Sequence, residues 1–452
     1  MNLTLQSCPL DIAERIIAYL DLEDIRNLRL TAKAVTIKFS QGRFRGLCRM
    51  KQLDLTAEFL QAFTKSIASR SHQLKHLCLV GLSRKPNLHG DAKAAGKRQE
   101  CLADYLADLF NEIAKYNDDG CLEALTLRVT NVYQDGSRHL PSETKAVLMP
   151  CRVWFCAVYM WQVVLQALAV SRLRIQKLNL FNDESMKLCS LPCDRLYSVE
   201  LQDSRVAESF SMLKSLSLSL CTRVFNIYQD MAEPGESYLC ANAWQEGIQR
   251  DYQAEATDEV NFIGVAKLIG LCNRLEELNL HFFHLSLEPL NRRRDFQLER
   301  ILQHIVEIEN LPRLKRVRLR GIGTREADLL QFIRRTDPSE LSLEFIKLLK
   351  GGFSSIIEYC TSDQSHLTRL YLDTLYELED PQTIGMVLFP RHEKARTIVC
   401  DRTWQLPKAE NWEQSGDDIK KPILFLVDGP IEIGTPVNAA RSFWTDTEYG
   451  AW

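Results

Sequence analysis

The fold is decided by a phrase that is clearest at Leu275-Glu276-Glu277-Leu278-Asn279-Leu280, which reads Leu-x-x-Leu-x-Leu. With conservative replacements, copies of this phrase start at Met50, Leu74, Leu122, Ile175, Leu196, Leu213, Leu275, Leu314 and Leu367. A weaker tenth copy starts at Pro338. The alternation of leucine with other residues at the end of each copy predicts a short strand that buries one face.

Most of these copies follow a stretch whose apolar residues recur with helical spacing. The stretches are 57–68, 101–116, 153–170, 261–271, 298–309, 327–335 and 353–360. Helix alternating with strand at a recurring phrase is typical of leucine-rich-repeat solenoids, in which each repeat buries its leucines against its neighbours. We therefore expect an α/β fold, with an irregular leucine-rich-repeat solenoid and a parallel sheet.

The repeats are irregular, because successive copies start between 17 and 62 residues apart. Regular repeats of this kind are about 20–29 residues long. The longer spacings predict insertions, and the polar, Gly- and Pro-containing stretches 83–98, 133–145 and 224–257 are the expected loops. In the tail from Trp404 onward, the apolar run 423–427 predicts a strand that closes the last repeat.

The first forty residues form a separate helical pattern. Pro9 suits the first position of a helix, and apolar residues follow it at helical spacing. Asp21 is a candidate cap for a second helix, and Thr31 is a candidate cap for a third. A unit this small buries little surface and is marginally stable alone, so we expect it to pack against the following residues or against a partner.

These residues resemble an F-box, and most closely that of fungal F-box proteins. The resemblance lies in Cys8-Pro9-Leu10-Asp11-Ile12, Ile16-Ile17-Ala18-Tyr19-Leu20 and Leu22-Glu23-Asp24-Ile25-Arg26-Asn27-Leu28-Arg29-Leu30-Thr31-Ala32-Lys33. It implies a three-helix F-box at 1–48, followed by the repeat region at 49–403 and a C-terminal cap or tail at 404–452. Contacts to a Skp-type adaptor are expected from Pro9, Leu10, Ile12, Ile16, Leu20, Leu28 and Lys33.

The function that this resemblance implies is a substrate-receptor subunit of a Skp-cullin-F-box ubiquitin ligase, recruiting an unknown protein target through the repeats. An alternative is a repeat scaffold whose F-box serves assembly or self-turnover. A hydrolase or transferase is the third reading, but the sequence offers no nucleophile with a base and no P-loop, dinucleotide fingerprint or nucleophile elbow. We expect a non-catalytic chain without cofactor or metal, since His281 and His284 lack further ligands at suitable spacing.

Composition restricts the partners further. The 56 Lys and Arg nearly balance 59 Asp and Glu, giving a net charge of −3, which argues against general nucleic-acid binding. The apolar stretch 153–170 has the length of a short membrane span, but Gln162 and Gln166 share one helical face, which favours a buried helix and no membrane. Without a secretory signal, the fourteen cysteines should stay reduced in the cytoplasm or nucleus.

The outward positions of the strands are the candidate target-binding surface. They include Asn279, His281, Arg316, Arg318, Arg320, Arg369 and Tyr371. One interpretation is that the three arginines of 316–320 clamp an acidic or phosphorylated segment. The other is a cross-strand charge ladder, with Arg316 beside Glu340, Arg320 beside Glu344 and Glu277 on the opposite side. In this register Arg318 is expected to lack an anionic neighbour.

Overall fold

The computed structural model of the chain describes residues 8–17, 27–28, 30–38, 49–70, 73–83, 92–132, 138–139, 150–182, 189–197, 199–222, 252–283, 297–380, 383–390, 398–399 and 408–432. The helices are α1 Leu10–Ile17, α2 Lys33–Lys38, α3 Ala57–Arg70, α4 Ala92–Tyr116, α5 Pro150–Ser171, α6 Cys193–Leu196, α7 Ser204–Phe210, α8 Tyr252–Thr257, α9 Val260–Gly270, α10 Glu299–Val306, α11 Glu326–Thr336 and α12 Ser354–Thr361. Short 3-10 turns lie at Asp118–Gly120, Val199–Gln202 and Gly416–Lys420.

The strands are β1 Met50–Asp54, β2 His76–Ser83, β3 Cys121–Leu122, β4 Ala124–Val132, β5 Arg138–His139, β6 Arg174–Ile175, β7 Lys177–Leu180, β8 Leu191–Pro192, β9 Ser215–Cys221, β10 Glu277–Phe283, β11 Arg316–Arg320, β12 Gly323–Arg325, β13 Glu340–Glu344, β14 Lys347–Lys350, β15 Arg369–Asp373, β16 Tyr376–Asp380, β17 Thr383–Pro390, β18 Ile398–Val399, β19 Lys408–Ala409, β20 Asn411–Ser415 and β21 Leu426–Glu432.

Within the described ranges, the largest sheet has twelve strands and a simple order; it is called the main sheet below. Its central path is β1-β2-β4-β7-β9-β10-β11-β13-β15-β20, so the strands follow one another in space as they do along the chain. All neighbours on this path are parallel except β15 and β20, which are antiparallel. The chain is therefore an α/β protein with a mostly parallel sheet, as the sequence predicts.

A second sheet has the order β12-β14-β16-β17-β19-β18, with β21 also paired to β17. It begins parallel between β12, β14 and β16 and becomes antiparallel from β17 onward. Strands β3 and β6 form a separate parallel pair just before β4 and β7.

The strands form where the leucine phrase predicts them because alternate residues face a common core. Leu278 and Leu280 are 2% and 1% exposed, while Asn279 between them is only half-buried. The strand leucines share one hydrophobic cluster with helix residues such as Leu106 and Leu302. Nine of the ten copies lead into a strand of the main sheet, counting β1, β2, β4, β7, β9, β10, β11, β13 and β15.

The copy at Leu196 is the exception, and the strand predicted there is wrong. The chain forms α6 and the 3-10 turn Val199–Gln202 instead. The copies on either side start only 21 and 17 residues away. The interval of 17 residues to the next copy is shorter than a regular repeat of about 20–29 residues, so it leaves too little chain for a further strand followed by a crossover helix.

The helices predicted in the repeat region are confirmed to within three residues at their ends, except that α4 starts nine residues before the predicted 101. Two predicted loops are partly helical. Residues 92–98 of the stretch 83–98 belong to α4, and 252–257 of the stretch 224–257 form α8. The parts 84–91 and 224–251 of these two stretches lie outside the described residues. Of 133–145, only the short strand β5 is described.

Helix α5 contains the apolar stretch. The segment Val153–Ser171 has the length and composition of a membrane span, alone in this respect within the described ranges, and 67% of its apolar window is buried. Trp154 and Trp161 are each 1% exposed or less. The partly or fully exposed residues form a narrow stripe that includes Phe155, Gln162 and Gln166. This burial is that of a helix packed inside a protein core.

The C-terminal strand differs from the prediction. The run 423–427 does not close the main sheet; Ile423 packs into the core, and the strand that starts at Leu426 joins β17 in the second sheet. The edge of the main sheet is instead closed by β20, antiparallel to β15.

The N-terminal residues form a small hydrophobic cluster of their own. Ala13 of α1 and Val35 of α2 are buried there, with Ile16, Leu28 and Ala32 packed around them. The predicted cap is wrong: the Thr31 hydroxyl donates to the Leu28 carbonyl at 2.7 Å, and α2 starts two residues later, at Lys33. A threonine that follows a helical segment competes for the free carbonyls of that segment, which explains this choice. Asp21, the other candidate cap, lies outside the described residues.

Candidate functional site

One face of the main sheet carries a groove with a volume of about 630 Å³. Side chains from six adjacent strands, β9, β10, β11, β13, β15 and β20, line it. They include Glu277, Asn279, Arg318, Glu340, Tyr371 and Glu413. We call this cleft the polar groove, because its charged and hydroxyl-bearing side chains alternate with the leucines that the same strands send into the core.

The register of the strands brings the predicted neighbours together. Arg316 lies between Glu277 and Glu340, and Arg320 lies beside Glu344. The expected pairing of strands is therefore confirmed residue by residue. This accuracy has a physical reason, since a slip of one residue would turn every leucine of a strand out of the core.

Arg318 differs from the prediction, because it has an anionic partner. Its guanidinium donates two hydrogen bonds to Glu344, from Nε to Oε1 at 2.7 Å and from Nη2 to Oε2 at 2.9 Å. The side chain reaches diagonally to the next strand rather than to Ser342, which lies beside it in register. Ser342 donates to the same carboxylate at 2.6 Å. Arg318 is therefore half of a two-bond ion pair and not an isolated charge.

The Glu344 carboxylate is mostly buried, with its side chain 9% exposed. Burial acts to raise the pKa of Glu344, but the hydrogen bonds from Arg318 and Ser342 and the charges of Arg318 and Arg320 outweigh it. The pKa of Glu344 is consequently lower than its usual value, and the group is ionised at neutral pH.

The other arginines on this face are also paired with carboxylates. Arg316 hydrogen-bonds Glu277, and the Arg369 Nη2 lies 3.1 Å from Glu413 Oε1. Arg320 Nε lies 3.9 Å from Glu344 Oε2. These contacts favour the charge-ladder interpretation over a ready-made clamp for an acidic segment, because each guanidinium already has an anionic partner.

His281 does not belong to the accessible surface, which corrects its inclusion among the candidate target-binding residues. It is 8% exposed, its Nδ1 lies 3.3 Å from the Ser219 hydroxyl oxygen, and its ring meets Phe283 edge-on at 6.2 Å between centroids. The apolar residues Phe282 and Phe283 that follow it are buried, and they hold this end of β10 inside the structure.

Asn279 and Tyr371 line the groove as predicted, and each lies within a local hydrogen-bond network. The Tyr371 hydroxyl donates to Asp373 at 2.9 Å. The Asn279 main-chain carbonyl accepts from Asn182 Nδ2 at 3.4 Å, and the same Asn182 side-chain amide donates to the Ser217 hydroxyl at 3.1 Å. Asn182 lies just after β7, outside the leucine phrase, so the sequence pattern gave no reason to select it.

Glu413 is the second residue that sequence reasoning missed. It comes from β20, whose sequence Asn-Trp-Glu-Gln-Ser lacks the leucine phrase, and it faces Tyr371 in register. Only the antiparallel pairing of this strand with β15 brings its carboxylate to Arg369. No signal in the local sequence identifies it.

The predicted adaptor contacts lie at the other end of the chain. Pro9 and Lys33 are exposed, and Leu10 and Ile12 are 45% and 41% exposed. Ile16 and Leu28 are partly buried in the small N-terminal cluster, and Leu20 lies outside the described residues. Leu30, which was not selected, is 85% exposed.

The polar groove offers charges and hydrogen bonds that suit binding. Its lining includes hydroxyls of Ser215, Ser217, Ser342 and Tyr371, along with the carboxylates and guanidiniums described above. Within the residues described by the structure, no group of three or more His, Cys, Asp or Glu is placed to hold a metal ion. In comparisons with known proteins, no protein-family model matches the chain, and no curated protein matches it.

Proposed function

We propose that the chain is a substrate-receptor subunit of a Skp-cullin-F-box ubiquitin ligase. In this proposal the N-terminal helices are an F-box that docks a Skp-type adaptor. The strands and helices that follow are an irregular leucine-rich-repeat solenoid, and the polar groove recruits a target protein. The receptor itself performs no chemistry.

The order of the main sheet supports the solenoid part of the proposal. The strands of its path follow one another in space in the order in which they occur along the chain, and helices occupy most of the connections. Elements stacked in sequence order are characteristic of repeat proteins, in which each repeat contacts only its neighbours. The unequal connections, such as that between β9 and β10, account for the irregular spacing of the phrase.

The observation that carries the adaptor part is a concentration of exposed apolar side chains on a very small helical unit. Leu10, Ile12 and Leu30 are 45%, 41% and 85% exposed, and among the described residues of this unit Ala13 and Val35 are the buried members of its cluster. Exposed apolar groups on a helical unit of this size mark a surface for a partner.

The described cysteines are free thiols, as expected for a protein of the cytoplasm or nucleus, where ubiquitin ligases of this kind act. The alternative function remains a repeat scaffold whose F-box serves assembly or self-turnover. The two functions differ in whether the groove delivers a protein for degradation.

A double variant, Pro9→Ala with Leu10→Ala, tests the adaptor interface in the full chain. Both side chains are exposed, so the melting temperature should not change. Binding to the adaptor should weaken more than about tenfold, since anchors of this kind each contribute about 2 kcal/mol or more. The measurement is co-purification followed by titration with recombinant Skp-type adaptor.

The matched control is Leu424→Ala, which removes an apolar side chain that is 73% exposed outside the helical unit. It should bind the adaptor as the unaltered chain does. Equal adaptor binding by the double variant and the control would contradict the proposed interface.

A further inference from the structure

The face of the main sheet between β10 and β20 carries one more carboxylate than guanidinium. The outward-facing acids are Glu277, Glu340, Glu344, Asp373 and Glu413, and the outward-facing bases are Arg316, Arg318, Arg320 and Arg369. Five acids against four bases leave a formal charge of −1 on this part of the polar groove and its rim.

The internal contacts use every one of these bases. Arg316 binds Glu277, Arg318 and Arg320 both bind Glu344, and Arg369 binds Glu413. Asp373 accepts hydrogen bonds from the hydroxyls of Tyr371 and Thr374, each at 2.9 Å. The carboxylate left over from these pairings is that of Glu340.

Glu340 lies in register between Arg316 and Arg369, yet both guanidiniums are held by acids on the far side of their own strands. Across the described ranges of the chain, the Glu340 side chain makes no hydrogen bond or ion pair. It is half-buried and lines the groove. The groove therefore presents the carboxylate of Glu340 between Arg316 and Arg369, whose charges are already neutralised by other acids.

This arrangement discriminates between ligand charges. An anionic ligand would have to compete with Glu277, Glu344 or Glu413 for an arginine, and release of Glu344 would leave a mostly buried carboxylate poorly paired. A cationic side chain at Glu340 displaces no existing pair and completes the charge balance of the groove. Charge complementarity thus favours a basic group.

The length of the groove points to an extended peptide. It runs across six strands from Ser215 on β9 to Glu413 on β20, and neighbouring strands are about 4.8 Å apart, so the groove is roughly 24 Å long. An extended chain advances about 3.3 Å per residue, so roughly seven residues span this distance.

We propose that the polar groove binds an extended segment of a target protein through a single lysine or arginine whose charge pairs with Glu340. This inference rests on the proposed function as a receptor and specifies the chemistry of the target. The expected ligand is thus a basic segment that pairs with Glu340, and not an acidic or phosphorylated segment clamped by the arginines.

The test uses the full-length chain and a phage library of random nonapeptides as the probe. The chain should enrich peptides that carry Lys or Arg at one fixed position. For the best peptide, Glu340→Gln should weaken binding by about tenfold or more in fluorescence anisotropy, without a change in melting temperature. Glu358→Gln, which neutralises an exposed acid on α12, is the matched control and should bind as the unaltered chain does.

The inference would be overturned by enrichment of Asp or Glu, by equal binding of the peptide to Glu340→Gln and to the control, or by no enrichment at all. Tighter binding of a peptide with phosphoserine in place of the basic residue would do the same. Adaptor binding by the same preparations separates this inference from the proposed function. If the chain binds the adaptor but fails the peptide test, only this inference is disproved. If the chain binds basic peptides but does not bind the adaptor, the ligase function is disproved.

Discussion

Arg318 and Glu344 form an ion pair in the polar groove that the register of the strands did not predict. Their ion pair has two hydrogen bonds, and the Glu344 side chain is 9% exposed, whereas that of Glu277 in the Arg316 pair is 29% exposed. An ion pair whose acid is buried is costly to break, because the acid cannot return to water. The pair therefore fixes the geometry of the groove, and its two charges are not available to a ligand.

Replacing Arg318 by Met should lower the free energy of unfolding by about 1–3 kcal/mol, because Glu344 keeps only Ser342 and the more distant Arg320 as partners. Arg316→Met should cost less than about 1 kcal/mol, since both side chains of its pair are well solvated. Thermal and urea unfolding of the two variants measure the difference. The opposite order would show that the Arg318 pair does not persist in solution.

The lowered pKa of Glu344 also predicts a dependence on pH. A carboxyl whose pKa is lower in the folded chain stabilises the fold fully above its unfolded pKa, and the contribution is lost as pH falls through the folded value. The gap in melting temperature between the unaltered chain and Arg318→Met should be constant near neutral pH and shrink below the usual value of 4.5. A gap that stayed constant on acidification would assign the effect to packing.

At the site, the sequence predicted which side chains point outward and which residues are neighbours in register, because the leucine alternation fixes both. It did not predict that Arg318 reaches diagonally to Glu344, since the choice between neighbours depends on side-chain rotamers and burial. It also missed the burial of His281 and the contribution of Glu413, which depend on packing at the strand end and on a distant strand.

Among the elements, α10 and α11 are joined by a contact that stabilises a helix end. Arg335 of α11 donates to the carbonyls of Val306, Ile308 and Glu309, with the last two at 2.7 and 2.9 Å. These carbonyls lie at and beyond the C-terminus of α10, where helical carbonyls have no partner and the helix dipole favours a positive charge.

Arg335→Ala should therefore lower the free energy of unfolding by about 1–3 kcal/mol, because several carbonyls lose their donor at once. Arg334→Ala is the control: its side chain is exposed and lies over the Tyr359 ring at 5.0 Å, a contact worth about 0.5–1 kcal/mol. Urea unfolding of both variants gives the comparison. If Arg334→Ala cost as much as Arg335→Ala, the capping role would be refuted.

Elements whose pattern is local were predicted well, and those defined by distant pairing were not. The helix at 57–70 and the strand at 277–283 follow from periodicity alone. The copy at Leu196 has the leucine phrase but lies too close to the next copy to form a strand. Strand β20 pairs with β15 although its sequence lacks the leucine phrase. Whether a strand forms depends on the spacing between repeats at Leu196, and on the pairing that closes the edge of the main sheet at β20.

At the scale of the whole molecule, the proposal joins two surfaces with different chemistry. The N-terminal unit exposes apolar side chains such as Leu30, whereas the polar groove exposes paired charges and the Glu340 carboxylate. An adaptor-binding surface and a target-binding surface on one chain are what a receptor requires. The scaffold alternative requires the first surface but gives the second no degradation role.

Affinity purification of the full chain with and without proteasome inhibition tests this central claim most directly, with the Pro9→Ala, Leu10→Ala variant as the comparison. The account predicts a protein that co-purifies with the unaltered chain and accumulates under inhibition, and that already co-purifies with the adaptor-deficient variant when the proteasome is active. A set of co-purified proteins that is the same in all four samples, apart from the adaptor and cullin, would contradict the receptor function and favour the scaffold.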